Sequence, residues 1–321
     1  MPVIGRHVSG LAGYAPALPT PFDNEGCIDR AAFARLCELQ IAHSATALVV
    51  CGTTGEAPTL LPQEQVELVR IAAALSRGQI PVIAGAGANA TARAIDLARD
   101  AEAASADAIL SVVPYYNKPM QEGLYCHFRA IAEATGLPII LYDVPSRTAC
   151  GLADETIARL AELPGVIGLK DAAGDLARPM RLRSLLGPDF RLLCGDDALA
   201  LAYMAHGGDG CISVTSNVAP GLCRNMFLAW RQGQWARAQR LAQAAAPLTA
   251  ALFRESNPVP LKHALALLGL ISPAVRLPLV PLSARSRAEL GEALARLCDG
   301  YSEYLAGSLL EGGEDRRAIA S

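Results

Sequence analysis

The chain has 321 residues, of which 52% are hydrophobic and 18% are charged, and its formal net charge is only −3. A chain of this length buries about three-quarters of the surface that it exposes when unfolded, so it needs neither a disulfide framework nor a structural metal for stability. The near balance of charge argues against a nucleic-acid-binding protein, and the high apolar content argues against a disordered one.

Eight short apolar runs recur along the chain, and each is followed by a turn and a longer segment with helical spacing. Continuous apolar character is typical of strands that are covered on both faces, as in a parallel sheet. The predicted strands are Leu11 to Leu18, Ala45 to Val50, Pro81 to Ala84, Ala108 to Val113, Pro138 to Tyr142, Val166 to Lys170, Arg191 to Cys194 and Gly210 to Val214.

Helices are predicted between these strands, with Asp29 and Thr91 as N-caps. The segments are 29–41, 63–75, 91–104, 121–134, 154–163, 176–186, 198–206 and 220–231. Eight strand–helix units predict a (β/α)8 barrel of the TIM type, and a doubly wound parallel sheet is the alternative.

Three more helices are predicted after the barrel, over 236–253, 259–268 and 287–305. We therefore expect a catalytic barrel domain over 1–231, a C-terminal helical appendage over 232–306 and a disordered tail over 307–321.

The nine cysteines are widely spread and form no C-x-x-C pair. This pattern indicates thiols of a reducing compartment rather than a zinc site or a secreted scaffold, and the apolar stretches are too short or interrupted to span a bilayer. We expect a cytoplasmic protein. Cys51 and Cys194 lie near predicted strand ends and are interpreted as buried structural thiols rather than nucleophiles.

Polar residues follow several of the predicted strands. The second run ends in Cys51–Glu56, the fourth in Pro114–Asn117, the fifth in Tyr142–Thr148 and the sixth in Lys170 and Asp171. Because a barrel places its active site at the carboxyl ends of its strands, these groups are expected to meet at one mouth.

Lys170 closes a wholly apolar strand and is expected to lie partly inside the barrel. Desolvation there favours the neutral amine, which attacks carbonyl groups, so Schiff-base chemistry is the natural use of this residue. The alternative is a solvated lysine at a strand end. Tyr142 and Thr53 provide a candidate proton relay, although they also fit a packing residue at the rim and a simple turn.

Two features of these loops suit carboxylate ligands. Gly52 and Gly55 allow close approach to the backbone, so exposed N–H groups and hydroxyls there suit a small carboxylate. Arg147 follows a turn that is fixed by a proline and could pair bidentately with a second carboxylate, or else form a surface ion pair.

Six motifs in order along the chain resemble the dihydrodipicolinate synthase branch of the N-acetylneuraminate lyase superfamily, and they cover about residues 10 to 300. They are Gly52-Thr53-Thr54-Gly55-Glu56, Pro114-Tyr115-Tyr116-Asn117, Tyr142 through Thr148, Gly168-Leu169-Lys170-Asp171, Gly195-Asp196-Asp197 and Glu255-Ser256-Asn257-Pro258.

The resemblance implies a homotetramer, a dimer of dimers, in which Lys170 forms an imine with pyruvate. Tyr142, Thr53 and Tyr116 would form the proton relay, and Tyr116 would reach into the site of a neighbouring subunit. The enamine derived from pyruvate would attack L-aspartate 4-semialdehyde and give 4-hydroxy-tetrahydrodipicolinate, with no metal or organic cofactor.

The same resemblance implies the groups that bind the two substrates. Thr54 and the adjacent backbone would hold the pyruvate carboxylate, and Arg147 the carboxylate of the semialdehyde. The carbonyl groups of Gly195 and Ile212 would line the pocket near Lys170.

The chain departs from the family pattern in two places. Asp143 stands where the family usually has Asn, and we expect an extra carboxylate near the mouth that alters the preference for the second substrate. Members inhibited by lysine carry histidines and a glutamate where this chain has Pro62, Gln65 and Arg93, although Asn89 matches. We therefore predict weak or absent feedback by lysine.

Parts of the sequence also fit other functions. Sialate lyases and sugar-acid aldolases of the same superfamily share the lysine and the tyrosine. The segment Gly85–Ala90 fits the G-x-G-x-x-A fingerprint of a nicotinamide oxidoreductase, with Asp107 as its acid. A non-catalytic binding homologue is disfavoured by the intact relay. The acidic pair Asp196 and Asp197, taken with His206, matches no metal-ligand spacing.

Overall fold

The computed structural model describes residues 11–309 of the chain. Eight strands, all parallel, form one sheet in the order β1-β8-β7-β6-β5-β4-β3-β2. They are β1 (Gly13–Pro16), β2 (Leu48–Val50), β3 (Val82–Gly85), β4 (Ala108–Val112), β5 (Ile139–Asp143), β6 (Val166–Asp171), β7 (Arg191–Cys194) and β8 (Gly210–Ser213).

Strands β1 and β2, which end the strand order, also meet. Thr46 N donates to Tyr14 O at 3.1 Å and Leu18 N donates to Val49 O at 2.9 Å, and Ala17 forms a parallel bridge with Val49. The sheet therefore closes on itself as a (β/α)8 barrel, which confirms the predicted fold class, and the doubly wound alternative is wrong.

The eight predicted helices are present in order around the barrel, and the short helix over Pro145–Thr148 was not predicted. They are α1 (Arg30–Ala42), α2 (Pro62–Ser76), α3 (Thr91–Ala103), α4 (Gln121–Ala134), α5 (Pro145–Thr148), α6 (Asp154–Ala161), α7 (Arg178–Leu186), α8 (Ala200–Ala205) and α9 (Pro220–Arg231). Asp29 caps α1, since its Oδ1 accepts from Ala32 N at 2.8 Å. The predicted cap Thr91 is wrong, because Ala90 is the N-cap of α3 and the Thr91 hydroxyl pairs with His127 Nδ1 at 2.9 Å.

Successive side chains of the strands alternate between the inside and the outside of the barrel. In β5, Ile140 and Tyr142 belong to the cluster that fills the interior, whereas Ile139 and Leu141 pack against the helical layer. This alternation sends Tyr142 inward and its neighbour Asp143 outward.

Three helices follow the barrel, namely α10 (Trp235–Leu252), α11 (Val259–Leu267) and α12 (Ala284–Tyr301). Their buried residues Leu248, Leu261 and Leu294 share one hydrophobic cluster with the outward faces of the strands. The helical appendage is thus packed onto the barrel, and the domain boundary at residue 231 stays a prediction.

The end of the described chain is a short 3₁₀ helix over residues 306–309. The rest of the predicted tail, 310–321, and residues 1–10 of the predicted barrel domain lie outside the described residues. Between residues 11 and 309, no helix has both the length and the apolar character required to cross a membrane.

Candidate active site

Lys170 and Tyr142 lie side by side at the carboxyl ends of two neighbouring strands. They are register partners in the pairing of β5 with β6, and the Nζ atom of Lys170 lies 4.2 Å from the centre of the Tyr142 ring. Each side chain is only 7% exposed. A nearly buried amine beside a phenol is the arrangement that imine chemistry with proton transfer needs.

Gly195 borders Lys170 from the other side. A Cβ atom placed on Gly195 would lie 3.2 Å from Cε of Lys170 and 2.9 Å from Cβ of Ala172. The glycine N–H donates to Asp171 O at 2.7 Å, which ties the end of β7 to the end of β6. The site therefore requires a residue without a side chain at this point. Ile212 lies on β8 and is buried in the interior of the barrel.

The loop after β2 carries both threonines. Gly55 N donates to Gly52 O at 3.1 Å and Glu56 N donates to Thr53 O at 3.2 Å, so the loop is a compact turn. Thr53 is half-buried, whereas Thr54 is buried and its Oγ1 accepts from Asn257 Nδ2 at 2.9 Å.

A cavity of about 400 Å³ opens at this end of the barrel, and its lining includes Thr53, Tyr142 and Arg147. The structure therefore brings together one threonine, the strand-end tyrosine and the arginine of α5. Lys170, Thr54, Gly195 and Ile212 do not line this cavity. Lys170 packs against Tyr142, which does line the cavity.

Tyr116 does not line this cavity. Its side chain is 88% exposed, its φ angle is +75°, and the nearby Met120 is 82% exposed. Two large apolar side chains with high exposure therefore lie four positions apart in the chain.

The carboxylate of Asp143 does not lie at the mouth, so the prediction that it lies there is wrong. Asp143 is 1% exposed, and its Oδ2 accepts from Arg178 Nη1 at 2.8 Å and from Leu152 N at 3.2 Å. Arg178 also binds Asp171 at 3.2 Å and Asp154 at 3.0 Å. Burial raises the pKa of the Asp143 carboxyl, and Arg178 opposes that shift.

The glycines of the segment 85–90 lie where neighbouring backbone leaves no room for a side chain. A Cβ atom on Gly85 would lie 2.0 Å from Cys51 O, and one on Gly87 would lie 2.4 Å from Val112 N. The Asp107 carboxylate accepts from Val82 N at 2.8 Å, at the amino end of β3. The fold is a closed barrel, and these glycines and Asp107 contact the backbone of neighbouring segments. The interpretation of this segment as a dinucleotide-binding fingerprint is therefore wrong.

Asp197 and His206 form hydrogen bonds with the backbone, and the two thiols near the strand ends are buried. Asp197 accepts from Val214 N at 2.8 Å, and His206 Nδ1 donates to Leu176 O at 2.6 Å. In the part of the chain that the structure describes, no cluster of three or more His, Cys, Asp or Glu side chains could hold a metal ion. Cys51 and Cys194 are both buried, and burial raises the pKa of the Cys51 thiol.

Sequence reasoning missed the contacts that surround the site. It gave no role to Arg178, and it did not foresee that Asn257 reaches Thr54 or that Lys262 pairs with Glu56 at 2.6 Å. Asn257 and Glu56 belong to motifs that the sequence had already singled out, and only their contacts were unknown.

A closed (β/α)8 barrel with a buried lysine and a tyrosine at the carboxyl ends of its strands defines a class of barrel lyases that work through a lysine imine. The family model for the dihydrodipicolinate synthetase family matches residues 10–297. The chain belongs to this family.

Individual relatives agree with the family match. A 4-hydroxy-tetrahydrodipicolinate synthase of Rhodospirillum centenum is 49% identical over 284 residues, which cover 88% of this chain and 97% of that protein. The dihydrodipicolinate synthase of Acinetobacter baumannii, a chloride-inhibited enzyme solved with pyruvate, has a TM-score of 0.87 and 42% identity over 89% of this chain and 98% of its own. A monomeric variant of such a synthase has a TM-score of 0.89 and 40% identity over 91% of this chain and 98% of its own.

Proposed function

We propose that the protein condenses pyruvate with L-aspartate 4-semialdehyde to 4-hydroxy-tetrahydrodipicolinate, a step in the biosynthesis of lysine and diaminopimelate. The observation that carries the proposal is the buried Lys170 amine 4.2 Å from the Tyr142 ring, in a chain of the dihydrodipicolinate synthetase family. The relative from Acinetobacter baumannii, which was solved with pyruvate, supports pyruvate as the first substrate.

The reaction begins at Lys170. Its neutral amine attacks C2 of pyruvate, and the carbonyl oxygen leaves as water, which gives an imine. Loss of a proton from C3 then gives an enamine, since the imine accepts the electron pair. The imine supplies the electron sink, so the proposed chemistry needs no metal or organic cofactor.

The second half of the reaction builds the ring. The enamine carbon attacks the aldehyde carbon of the semialdehyde, and the aldehyde oxygen takes up a proton. The amino group of the semialdehyde then attacks the C2 imine and displaces the Lys170 amine. Overall, one C–C bond and one C–N bond form and one water is lost.

We assign the following roles to the groups around Lys170. Tyr142, Thr53 and Tyr116 would pass protons, with Tyr116 supplied to the site of a neighbouring subunit, because its side chain is 88% exposed in its own chain. The carbonyl groups of Gly195 and Ile212 would face the bound pyruvate.

The two carboxylates of the substrates would have separate partners. The Thr54 hydroxyl and the adjacent backbone N–H groups would bind the pyruvate carboxylate. Arg147, which lines the cavity, would bind the carboxylate of the semialdehyde bidentately through its guanidinium.

We further propose a homotetramer, a dimer of dimers, in the cytoplasm. The exposed Tyr116 and Met120 favour a subunit contact on this face. A related synthase variant is a monomer, so sedimentation of the purified protein is the direct test of assembly.

The test of the substrate pair is a comparison of aldehydes at saturating pyruvate. L-Aspartate 4-semialdehyde should be consumed with formation of the cyclic product, and N-acetylmannosamine should not react. Turnover of N-acetylmannosamine alone would instead assign the protein to the sialate lyases of the same superfamily.

A further inference from the structure

The motif Glu255-Ser256-Asn257-Pro258 lies more than 80 residues after Lys170, beyond the last strand of the barrel, yet it reaches the threonine loop. Asn257 is 7% exposed, and its Nδ2 donates to Thr54 Oγ1 at 2.9 Å across 203 positions of sequence. The helical appendage therefore supplies a hydrogen bond to a candidate substrate-binding group.

This hydrogen bond decides what the Thr54 hydroxyl can do. A hydroxyl that accepts a hydrogen bond from an amide keeps its own proton for another acceptor. With Asn257 as the donor, the Thr54 proton is directed away from the amide and is available to a carboxylate. The bond also holds Thr54 in one rotamer, which lowers the ordering cost of binding.

The other end of the same loop is held by a buried ion pair from the appendage. Glu56 is the last residue of the loop motif, and its Oε1 accepts from Lys262 Nζ at 2.6 Å while its Oε2 accepts from Arg276 N at 3.1 Å. The side chains of Lys262 and Glu56 are 0% and 1% exposed.

The buried pair has a geometric consequence for the loop. A buried ion pair adds little net stability compared with apolar residues, but breaking it leaves an uncompensated charge, so it fixes one arrangement of the chain. Glu56 has a φ angle of +54°, an unfavourable conformation for a residue with a side chain, and its carboxylate is the partner of Lys262 in this conformation.

We propose that Asn257 is a positioning residue that sets the Thr54 hydroxyl to donate to the pyruvate carboxylate, and that the Lys262–Glu56 pair anchors the loop for it. The C-terminal helices then form part of the substrate site rather than an inert support. This inference rests on the proposed function, because it uses Thr54 as the group that binds pyruvate.

The test measures the pyruvate concentration that gives half-maximal trapping of the imine by borohydride, read by intact mass. Asn257→Ala should raise this concentration about tenfold, as expected for the loss of one well-placed hydrogen bond. The KM for the semialdehyde should stay near its wild-type value, since Arg147 holds that substrate. Asn225→Ala is the matched control, because Asn225 Nδ2 binds Gly221 O at 2.8 Å within α9, away from the loop.

A nearly isosteric variant guards against misfolding. In Asn257→Asp, an ionised carboxylate accepts the Thr54 proton and repels pyruvate, so the defect relative to wild type should shrink as the pH falls and the carboxyl protonates. A purely structural role would give a defect that does not depend on pH in this way.

A double variant isolates the contact itself. In a Thr54→Val background, Asn257→Ala should cause no further change in the half-maximal pyruvate concentration. Independent, multiplicative effects, or a wild-type value for folded Asn257→Ala, would overturn the inference. Failure of the wild-type protein to trap pyruvate at all would instead overturn the proposed function.

The ion pair has its own test. Lys262→Met should lower both Tm and pyruvate affinity, and adding Glu56→Gln should recover Tm but not affinity. Recovery of both would show that the pair acts only on stability and would contradict its role as the anchor of the loop.

Discussion

Replacement of Gly195 by alanine tests the placement of the reacting amine. The new Cβ atom would lie 3.2 Å from Cε of Lys170 and 2.9 Å from Cβ of Ala172. Carbon atoms pack best at about 3.5–4.0 Å, so the contact with Lys170 is short by about 0.3–0.8 Å and the contact with Ala172 by about 0.6–1.1 Å. Because Ala172 follows β6 directly and cannot swing away, the flexible lysine is expected to move.

The displacement of Lys170 sets the expected loss in the rate of imine formation. A misplacement of about 1 Å at a reacting group can cost about 10²-fold in rate, so we expect imine formation to slow by about 10-fold to 10²-fold. Overpacking should also lower the free energy of unfolding by about 1–3 kcal/mol. The assay is the time course of imine formation with pyruvate, quenched with borohydride and read by intact mass, with thermal unfolding followed on the same sample.

The matched control is Gly291→Ala in α12, where a Cβ atom would meet nothing within 4 Å. That change should leave the rate of imine formation unaltered and stabilise the helix by about 1 kcal/mol. A folded Gly195→Ala protein that forms the imine at the wild-type rate would refute the reasoning, since the reacting amine could not then lie against Gly195.

Arg178→Met should lower the free energy of unfolding by about 3–5 kcal/mol at neutral pH, because Asp143 and Asp171 lose their shared buried cation; urea unfolding measures this, and a loss below about 1 kcal/mol would contradict the buried cluster. Asp143→Asn should leave the KM for the semialdehyde unchanged, since the carboxylate faces Arg178. A clear change in this KM would show instead that Asp143 contacts the substrate at the mouth of the barrel. Burial raises the pKa of the Asp143 carboxyl in the folded state above its ordinary value of 3.8. Ionisation of Asp143 therefore lowers the free energy of unfolding as the pH rises above 3.8. Asp143→Asn should not show this decrease when urea unfolding is measured at a series of pH values. Sub-millimolar lysine should leave activity intact, because Gln65 and Arg93 replace the groups that lysine-inhibited members carry; strong inhibition would disprove this.

The strands were predictable because each combines an apolar run with a following turn, and both signals are local. The run from Pro138 to Tyr142 corresponds to β5 at Ile139–Asp143. Helix ends were less predictable. The last helix begins at Ala284 rather than Arg287, because the Ser283 hydroxyl caps it by accepting from Ser286 N at 3.3 Å. A serine after a proline-rich segment gives only a weak signal of a helix start.

The site was predictable to the extent that strand ends and motifs are local. Lys170 and Tyr142 could be placed on neighbouring strands, and the structure puts them in register. Successive side chains of a strand point to opposite faces, so Asp143 points out of the barrel because Tyr142 points into it. The sequence motif alone does not show which face Asp143 occupies, and the predicted position at the mouth was therefore wrong.

The remaining contacts depend on tertiary structure alone. Asn257 reaches Thr54 across 203 residues, and Arg276 reaches Glu56 across 220. No periodicity or spacing in the sequence encodes which side chains meet over such separations. The threonine loop and the helical appendage could therefore be predicted separately, whereas their connection could not.

The central claim is that Lys170 forms the imine with pyruvate. Borohydride reduction in the presence of pyruvate, followed by peptide mapping, tests it directly. We predict one adduct per chain, with the mass of pyruvate less one water plus two hydrogens, on the peptide that contains Lys170, and no adduct in Lys170→Ala. No adduct in the wild-type protein, or an adduct on another lysine, would contradict the proposed mechanism.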